Sequence, residues 1–245
     1  MKSLSPISKA FIVLVVTSGL GVMIATLVRT RPVKLSEFLT LLVISVVASR
    51  LRLKLPGLTG MMSVNLPFIL VAVAEMSTAE AMVVGCISTV VQSLPRTGRK
   101  FNWVHALFNF SNMVLAVAAT RLLYNSVALG SVIKSHPLLL AIAAVGYFAV
   151  NSMPVAIIIS LTENKNPVRA WIAMFQLSYP YYLVSAGMAG VVVAVSAQVG
   201  WQVPVGLLPL MLGVFYSYRR YFAVAQSQAE LKRAPQSATV AQAAS

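Results

Sequence analysis

Four polar residues recur at helical spacing where the fifth long apolar run of the chain begins. Asn102, His105, Asn109 and Asn112 follow one another at intervals of three, four and three residues, so they share one face of a predicted helix. Amide and imidazole groups in a row can exchange hydrogen bonds with a small, mostly neutral molecule. His105 can also respond to pH, since the reference pKa of histidine is about 6.5. The same groups serve equally well as packing contacts between helices.

The next two apolar runs carry further polar and aromatic residues at similar depth. Tyr147 and Asn151 are four residues apart, and Pro154 follows, where its ring and missing N–H predict a kink. Aromatic walls with a few amide and hydroxyl groups are typical of a small-molecule pocket. Glu75 lies at the end of an apolar run, with no structural role evident from the sequence. The predicted ligand-binding residues are His105, Asn109, Asn112, Tyr147, Asn151, Gln176, Tyr179, Tyr182 and Glu75.

Residues for catalysis or metal binding are scarce. The chain has no aspartate, only two histidines and a single cysteine, Cys86, within an apolar run. There is no HExxH, P-loop or GxSxG motif. The sequence therefore predicts no enzyme, no metal site, no cofactor and no intramolecular disulfide. A lipid-modifying enzyme that uses Glu75 with His105 is the least favoured alternative.

The elements that must position these residues are membrane helices. Of the 245 residues, 58% are hydrophobic and 10% are charged, against about half and about a quarter in soluble proteins. We predict an all-α fold, a polytopic transmembrane helix bundle of about eight membrane segments. Six full spans plus a short hairpin, formed by the third and fourth segments, is the alternative count. The segments are residues 10–28, 35–49, 64–74, 79–94, 103–124, 137–161, 171–197 and 203–218.

The basic residues predict the orientation of the bundle. Most of the 19 lysines and arginines fall on one side when the N-terminus is placed in the cytoplasm, as the positive-inside rule requires. We therefore expect a multi-pass protein of the bacterial inner (plasma) membrane with both termini cytoplasmic. The net charge of +14 fits anionic lipid headgroups. It does not suggest nucleic acid, because the charges flank apolar segments. The first apolar run is read as a retained span and not as a cleaved signal peptide.

The C-terminal part differs in composition from the bundle. Residues 219–233 are charged and amphipathic, and residues 234–245 are rich in Ala, Gln and Ser. We predict a transmembrane bundle over residues 1–222, followed over residues 223–245 by a cytoplasmic amphipathic connector and a disordered tail. Small residues four apart, such as Gly21 with Ala25, fit packing within one bundle, with a homo-oligomer interface as the alternative.

Three short motifs resemble a bacterial family. They are LFNFSN at 107–112, FAVNS at 148–152 and SYPYYL at 178–183. Over residues 35–222 the chain is similar to the N-terminal multi-span membrane sensory regions that precede HD-GYP or GGDEF domains in cyclic-di-GMP signalling proteins. In those proteins the last span continues into a charged cytoplasmic helix that leads to the output domain. The resemblance implies that residues 219–233 begin such a connector, here without an output domain.

The leading hypothesis is a non-catalytic sensor-like module in the lipid bilayer. It would bind a small, mostly neutral ligand or lipid within the bundle and signal to a cytoplasmic protein. Ligand binding would have to favour one arrangement of the helices over another. The alternative is a small-solute transporter, or the substrate-binding membrane subunit of one, because kinked helices with polar groups at mid-membrane depth are also typical of transporters.

Overall fold

The fold is a bundle of α-helices with one small β hairpin. The computed structural model describes residues 5–28, 35–54, 61–95, 101–163, 166–200 and 202–243. A short 3₁₀ helix, Val203–Gly206, lies between the last two α-helices. The α-helices are α1 (Pro6–Leu27), α2 (Leu35–Ser49), α3 (Leu66–Glu75), α4 (Thr78–Ser93), α5 (Trp103–Tyr124), α6 (Val127–Val132), α7 (His136–Glu163), α8 (Pro167–Val199) and α9 (Leu207–Ala243).

Local sequence signals begin several of these helices. Ser77 accepts a hydrogen bond from the backbone N–H of Glu80, and the Glu80 side chain accepts one from the N–H of Ser77, which is a capping box at the start of α4. At the start of α8, the Asn166 side chain accepts from the N–H groups of Val168 and Arg169. These bonds satisfy backbone donors that the first turn of a helix leaves free.

The β hairpin connects α2 to α3 and was not predicted. Strand β1 (Arg52–Lys54) pairs antiparallel with β2 (Met61–Ser63), with Arg52 opposite Ser63. The Arg52 guanidinium donates to the carbonyl oxygens of Val91 and Leu94, at 3.1 and 3.0 Å. Those carbonyls lie at the C-terminal end of α4, where a helix runs out of backbone N–H donors. Arg52 therefore attaches the hairpin to that helix.

Helix α3 is the centre of the bundle. Six consecutive side chains, from Phe68 to Val73, have no solvent-exposed surface, so the helix is enclosed on every side by other helices. Its ten residues extend about 15 Å at 1.5 Å per residue, which is half the roughly 30 Å thickness of a hydrocarbon layer. This helix fills the core of the bundle and is too short to cross the layer unaided.

Contacts between helices define two ends of the bundle. At one end, which we call the hairpin end, lie the β hairpin, the last residues of α2, α4 and α7, and the first residues of α3, α5 and α8. At the other, which we call the Glu75 end, the Glu75 carboxylate accepts a hydrogen bond from Ser196, and Tyr124 lies 3.4 Å from the ring of His136. The Arg121 guanidinium donates to the Val73 carbonyl there.

Four helical stretches are long and apolar enough to cross a membrane, and they match four predicted segments. They are Pro6–Leu27, Trp103–Val132, His136–Glu163 and Pro167–Ser196. Helices Leu35–Ser49 and Leu66–Glu75 are apolar but shorter. The all-α membrane bundle is therefore confirmed, while the total of eight spans and the alternative of six plus a hairpin both stay predictions.

One further difference from the sequence analysis concerns a short segment. Helix α6 was not predicted, because six residues are too few to show a periodic pattern. Helix α9 extends to Ala243, and the disordered tail expected over residues 234–245 stays a prediction. The division of the chain at residue 222 stays a prediction.

Candidate functional site

A partly open cavity lies between α3, α4, α5, α7 and α8, next to the β hairpin, at the hairpin end. It has a volume of about 140 Å³, smaller than the roughly 300–1,000 Å³ of pockets for drug-sized molecules. None of the described residues that line it carries a charge. The lining residues are Ser63, Asn65, Leu66, Gln92, Met113, Tyr147, Phe148, Asn151, Ser152, Val155, Met174, Ser178, Tyr181 and Tyr182.

Aromatic rings form one wall of the cavity. The Phe148 and Tyr182 rings meet edge to face with centroids 4.9 Å apart, and Tyr181 meets Tyr182 at 5.8 Å in the same way. Such edge-to-face pairs are favourable because the positive edge of one ring faces the negative face of the other. The hydroxyl of Tyr147 donates to the sulfur of Met113 at 3.3 Å. The wall is thus rigid and mainly apolar.

Amides from two helices meet beside this wall. The Asn112 side chain on α5 donates to the backbone oxygen of Asn151 at 2.8 Å and to its side-chain oxygen at 3.2 Å. Pro154 lacks the N–H that would bond the Val150 carbonyl, so α7 is locally weakened where Asn112 attaches to it. The Asn151 side chain in turn faces the hydroxyl of Tyr182. A series of polar contacts therefore connects Asn112 of α5, Asn151 of α7 and Tyr182 of α8.

One buried donor in the cavity is unused. The Asn65 side chain is 5% exposed, and its Oδ1 accepts a hydrogen bond from the Ser63 hydroxyl at 2.7 Å. That bond orients the amide and leaves Nδ2 pointing elsewhere. Within the part of the chain that the structure describes, Nδ2 has no hydrogen-bond partner. An unsatisfied buried donor costs about 1–3 kcal/mol, so this group favours an occupant that can accept a hydrogen bond.

The structure brings together three of the nine predicted ligand-binding residues at this cavity. Tyr147, Asn151 and Tyr182 line it, and a fourth, Asn112, is buried behind it in contact with Asn151. Their role in binding a ligand stays a prediction.

Five predicted residues lie elsewhere. His105 is exposed and lies 3.4 Å from the Asn109 amide one turn along α5. Gln176 is exposed on α8, and Tyr179, which is 45% exposed, stacks on Phe175 outside the cavity. Glu75 lies at the opposite end of the bundle, where it contacts Ser196. The arrangement gives these five residues no shared site with the cavity.

Eight polar or polarisable residues that line the cavity were not among the predicted ligand-binding residues: Ser63, Asn65, Gln92, Met113, Ser152, Met174, Ser178 and Tyr181. Ser63 and Asn65 come from the hairpin and the turn after it, Gln92 from the end of α4, and Met113 from α5. In the sequence, Asn65 precedes Leu66 and Pro67 and therefore resembles an ordinary helix start. No sequence signal marks Asn65 as buried, because its burial depends on the packing of α8 against α3.

A known family model matches nine-tenths of the chain. The MASE9 family model matches residues 3–222, a range that includes the whole cavity and every helix through the first part of α9. Neither curated proteins nor solved structures gave a match. MASE domains are membrane-associated sensory regions of signalling proteins. Since the match extends over almost the entire helical bundle, the chain belongs to the MASE9 family.

Proposed function

We propose that this chain is a non-catalytic sensory module of the bacterial inner membrane that binds a small, mostly neutral ligand in the cavity at the hairpin end. The observation that carries the proposal is the cavity itself. It has an aromatic wall, amides from several elements and an unused donor on Asn65. Membership of a membrane sensory family agrees with this role.

The cavity touches the helix that would carry the signal. Tyr181, in the cavity wall, accepts a hydrogen bond from the backbone N–H of Leu66 at 3.1 Å. Its ring meets Tyr218 of α9 edge to face at 6.4 Å, and Tyr218 in turn contacts Phe222 at 5.6 Å. A ligand that shifts Tyr181 therefore acts on α9 directly. Such a shift requires different affinities for the two helix arrangements.

The partner and the orientation are part of the same proposal. The hairpin end carries Arg50, Arg52 and Arg169, and basic residues favour the cytoplasmic side. Both termini would then be cytoplasmic, and α9 would present residues 223–243 to a cytoplasmic signalling protein. The resemblance to regions that precede HD-GYP and GGDEF domains suggests that this partner acts in cyclic-di-GMP signalling.

Native mass spectrometry of protein released from mild detergent tests ligand binding. We expect a retained small molecule on the unaltered chain and its loss in Asn151→Leu, which removes an amide from the cavity. Gln176→Leu is the matched control, because that amide lies outside the cavity, and it should keep the bound mass. Empty protein in all three samples, or equal retention in both variants, would contradict the proposal.

A further inference from the structure

The unused amide of Asn65 indicates the chemistry of the ligand. Its Oδ1 is occupied by Ser63, so the group that remains for a ligand is the Nδ2 donor. The described lining residues supply no charge to pair with a buried ion, and an unpaired ion is very costly to bury. The ligand that fits is uncharged and has an acceptor oxygen or nitrogen. The volume of about 140 Å³ restricts it to molecules smaller than typical drugs.

The position of the cavity indicates the side from which this ligand arrives. Ser63 belongs to the hairpin, Gln92 is the penultimate residue of α4, and Asn65 precedes α3. All three lie at the hairpin end, where Arg50 and Arg52 are bonded to the last carbonyls of α4. By the positive-inside rule that end faces the cytoplasm. Toward the Glu75 end, the core of the bundle is filled by side chains of α3 that are fully buried.

We propose that the module detects an uncharged cytoplasmic molecule, whose acceptor atom takes the hydrogen bond of Asn65 Nδ2. This rests on the proposed function, since it names the ligand class and the access route of the same cavity. Asn65 is then the recognition residue, and Ser63 is a positioning residue that orients the amide. The ligand would then enter from the cytoplasm, the same compartment in which α9 contacts its signalling partner.

The first test concerns the donor. In native mass spectra, Asn65→Leu should reduce the bound fraction about tenfold, the order of magnitude for one buried hydrogen bond. Ser63→Ala should reduce it less, because Asn65 stays in place. Asn109→Leu, an amide of α5 outside the cavity, should retain the bound molecule. Its mass and fragmentation should identify an uncharged compound with an acceptor. A retained lipid or ion, or full binding by Asn65→Leu, would overturn the assignment.

The second test concerns the access route and does not depend on the folding of Asn65→Leu. Gln92→Cys is made in a Cys86→Ala background and treated with a membrane-impermeant thiol reagent in inside-out and right-side-out vesicles. We expect reaction only in inside-out vesicles. Faster reaction in right-side-out vesicles would overturn the cytoplasmic route, and so would the absence of reaction in both.

If native spectra show no bound molecule at all, the proposed function fails. If a molecule is bound but either test here fails, only this inference does.

Discussion

At the scale of single residues, Tyr181 joins the cavity to the backbone. Its hydroxyl accepts from the N–H of Leu66, the first residue of α3, in a fully buried environment. The bond takes up a donor that the first turn of the helix cannot satisfy itself. The same ring contacts Tyr182 on one side and Tyr218 on the other. One side chain thus connects α3, α8 and α9.

We expect Tyr181→Phe to lower the free energy of unfolding by about 1–3 kcal/mol, because it leaves a buried N–H without a partner. Unfolding in detergent, followed by circular dichroism, measures the change. Tyr179→Phe is the control: within the described residues its hydroxyl has no hydrogen bond, and the side chain is 45% exposed. Equal effects of the two substitutions would show that the hydroxyl of Tyr181 contributes nothing.

The sequence led to some cavity residues and not to others for a physical reason. Spacing showed that Tyr147 and Asn151 share a helical face, and that face does turn inward. Spacing alone could not say which side of α8 faces the core, so Gln176 and Tyr179 were included although they point outward. Asn65 was missed because only tertiary packing buries it. Periodicity shows which residues share a face of one helix. It does not show which of the faces packs against the neighbouring helices.

At the scale of elements, α1 and α5 approach each other closely at Gly19. A Cβ atom built on Gly19 would lie 2.6 Å from the Cβ and backbone oxygen of Ser111, closer than side-chain contacts allow. Glycine therefore permits the two backbones to pack closely, as small residues do in membrane bundles. The role of Gly21 is different, because a Cβ there would meet nothing within 4 Å.

This pair of glycines gives a matched test. We expect Gly19→Ala to lower the thermal unfolding temperature in detergent, since α1 must move away from α5. Gly21→Ala should leave that temperature unchanged or raise it, because alanine favours helix over glycine by about 1 kcal/mol. Thermal scanning of both variants checks the prediction. It fails if Gly19→Ala is as stable as Gly21→Ala.

The attachment of the hairpin to α4 is a second feature at this scale. We expect Arg52→Met to increase amide hydrogen exchange in β2 about fivefold, corresponding to roughly 1 kcal/mol for bonds at a partly exposed site. Arg50→Met should have a smaller effect, because Arg50 donates to the Val91 carbonyl, which Arg52 also contacts. Exchange measured by mass spectrometry compares them. An equal rise in both variants would mean that the bond to Leu94 has no role.

Element boundaries were predicted well where hydropathy alone decides them. The predicted segments 35–49 and 103–124 coincide with α2 and α5, since charges or helix caps flank both apolar runs. Three-residue strands produce no detectable alternation, so the hairpin could not be predicted.

At the scale of the whole molecule, alternating helix directions place the N-terminal end of α1 and the last part of α9 on the side of the hairpin. A reporter experiment checks the predicted sidedness. A fluorescent protein fused to the C-terminus should fluoresce, whereas alkaline phosphatase inserted after Ala128, in α6 at the Glu75 end, should be active. Fluorescence depends on the cytoplasm and phosphatase activity on the periplasm. The reverse pattern would contradict the orientation and, with it, the cytoplasmic access route.

The enclosed position of α3 has a consequence for how the protein is made. This helix leaves the ribosome well before α8, although α8 supplies the tyrosine that bonds its first residue. Synthesis at about 5–20 residues per second separates the two by seconds. Throughout that interval α3, which is too short to cross the membrane, must remain inserted without α8. During this time α4 is its neighbour in the chain. Correct insertion of the core therefore depends on a segment that is translated late, and nascent chains stalled before α8 should be substrates for membrane quality control.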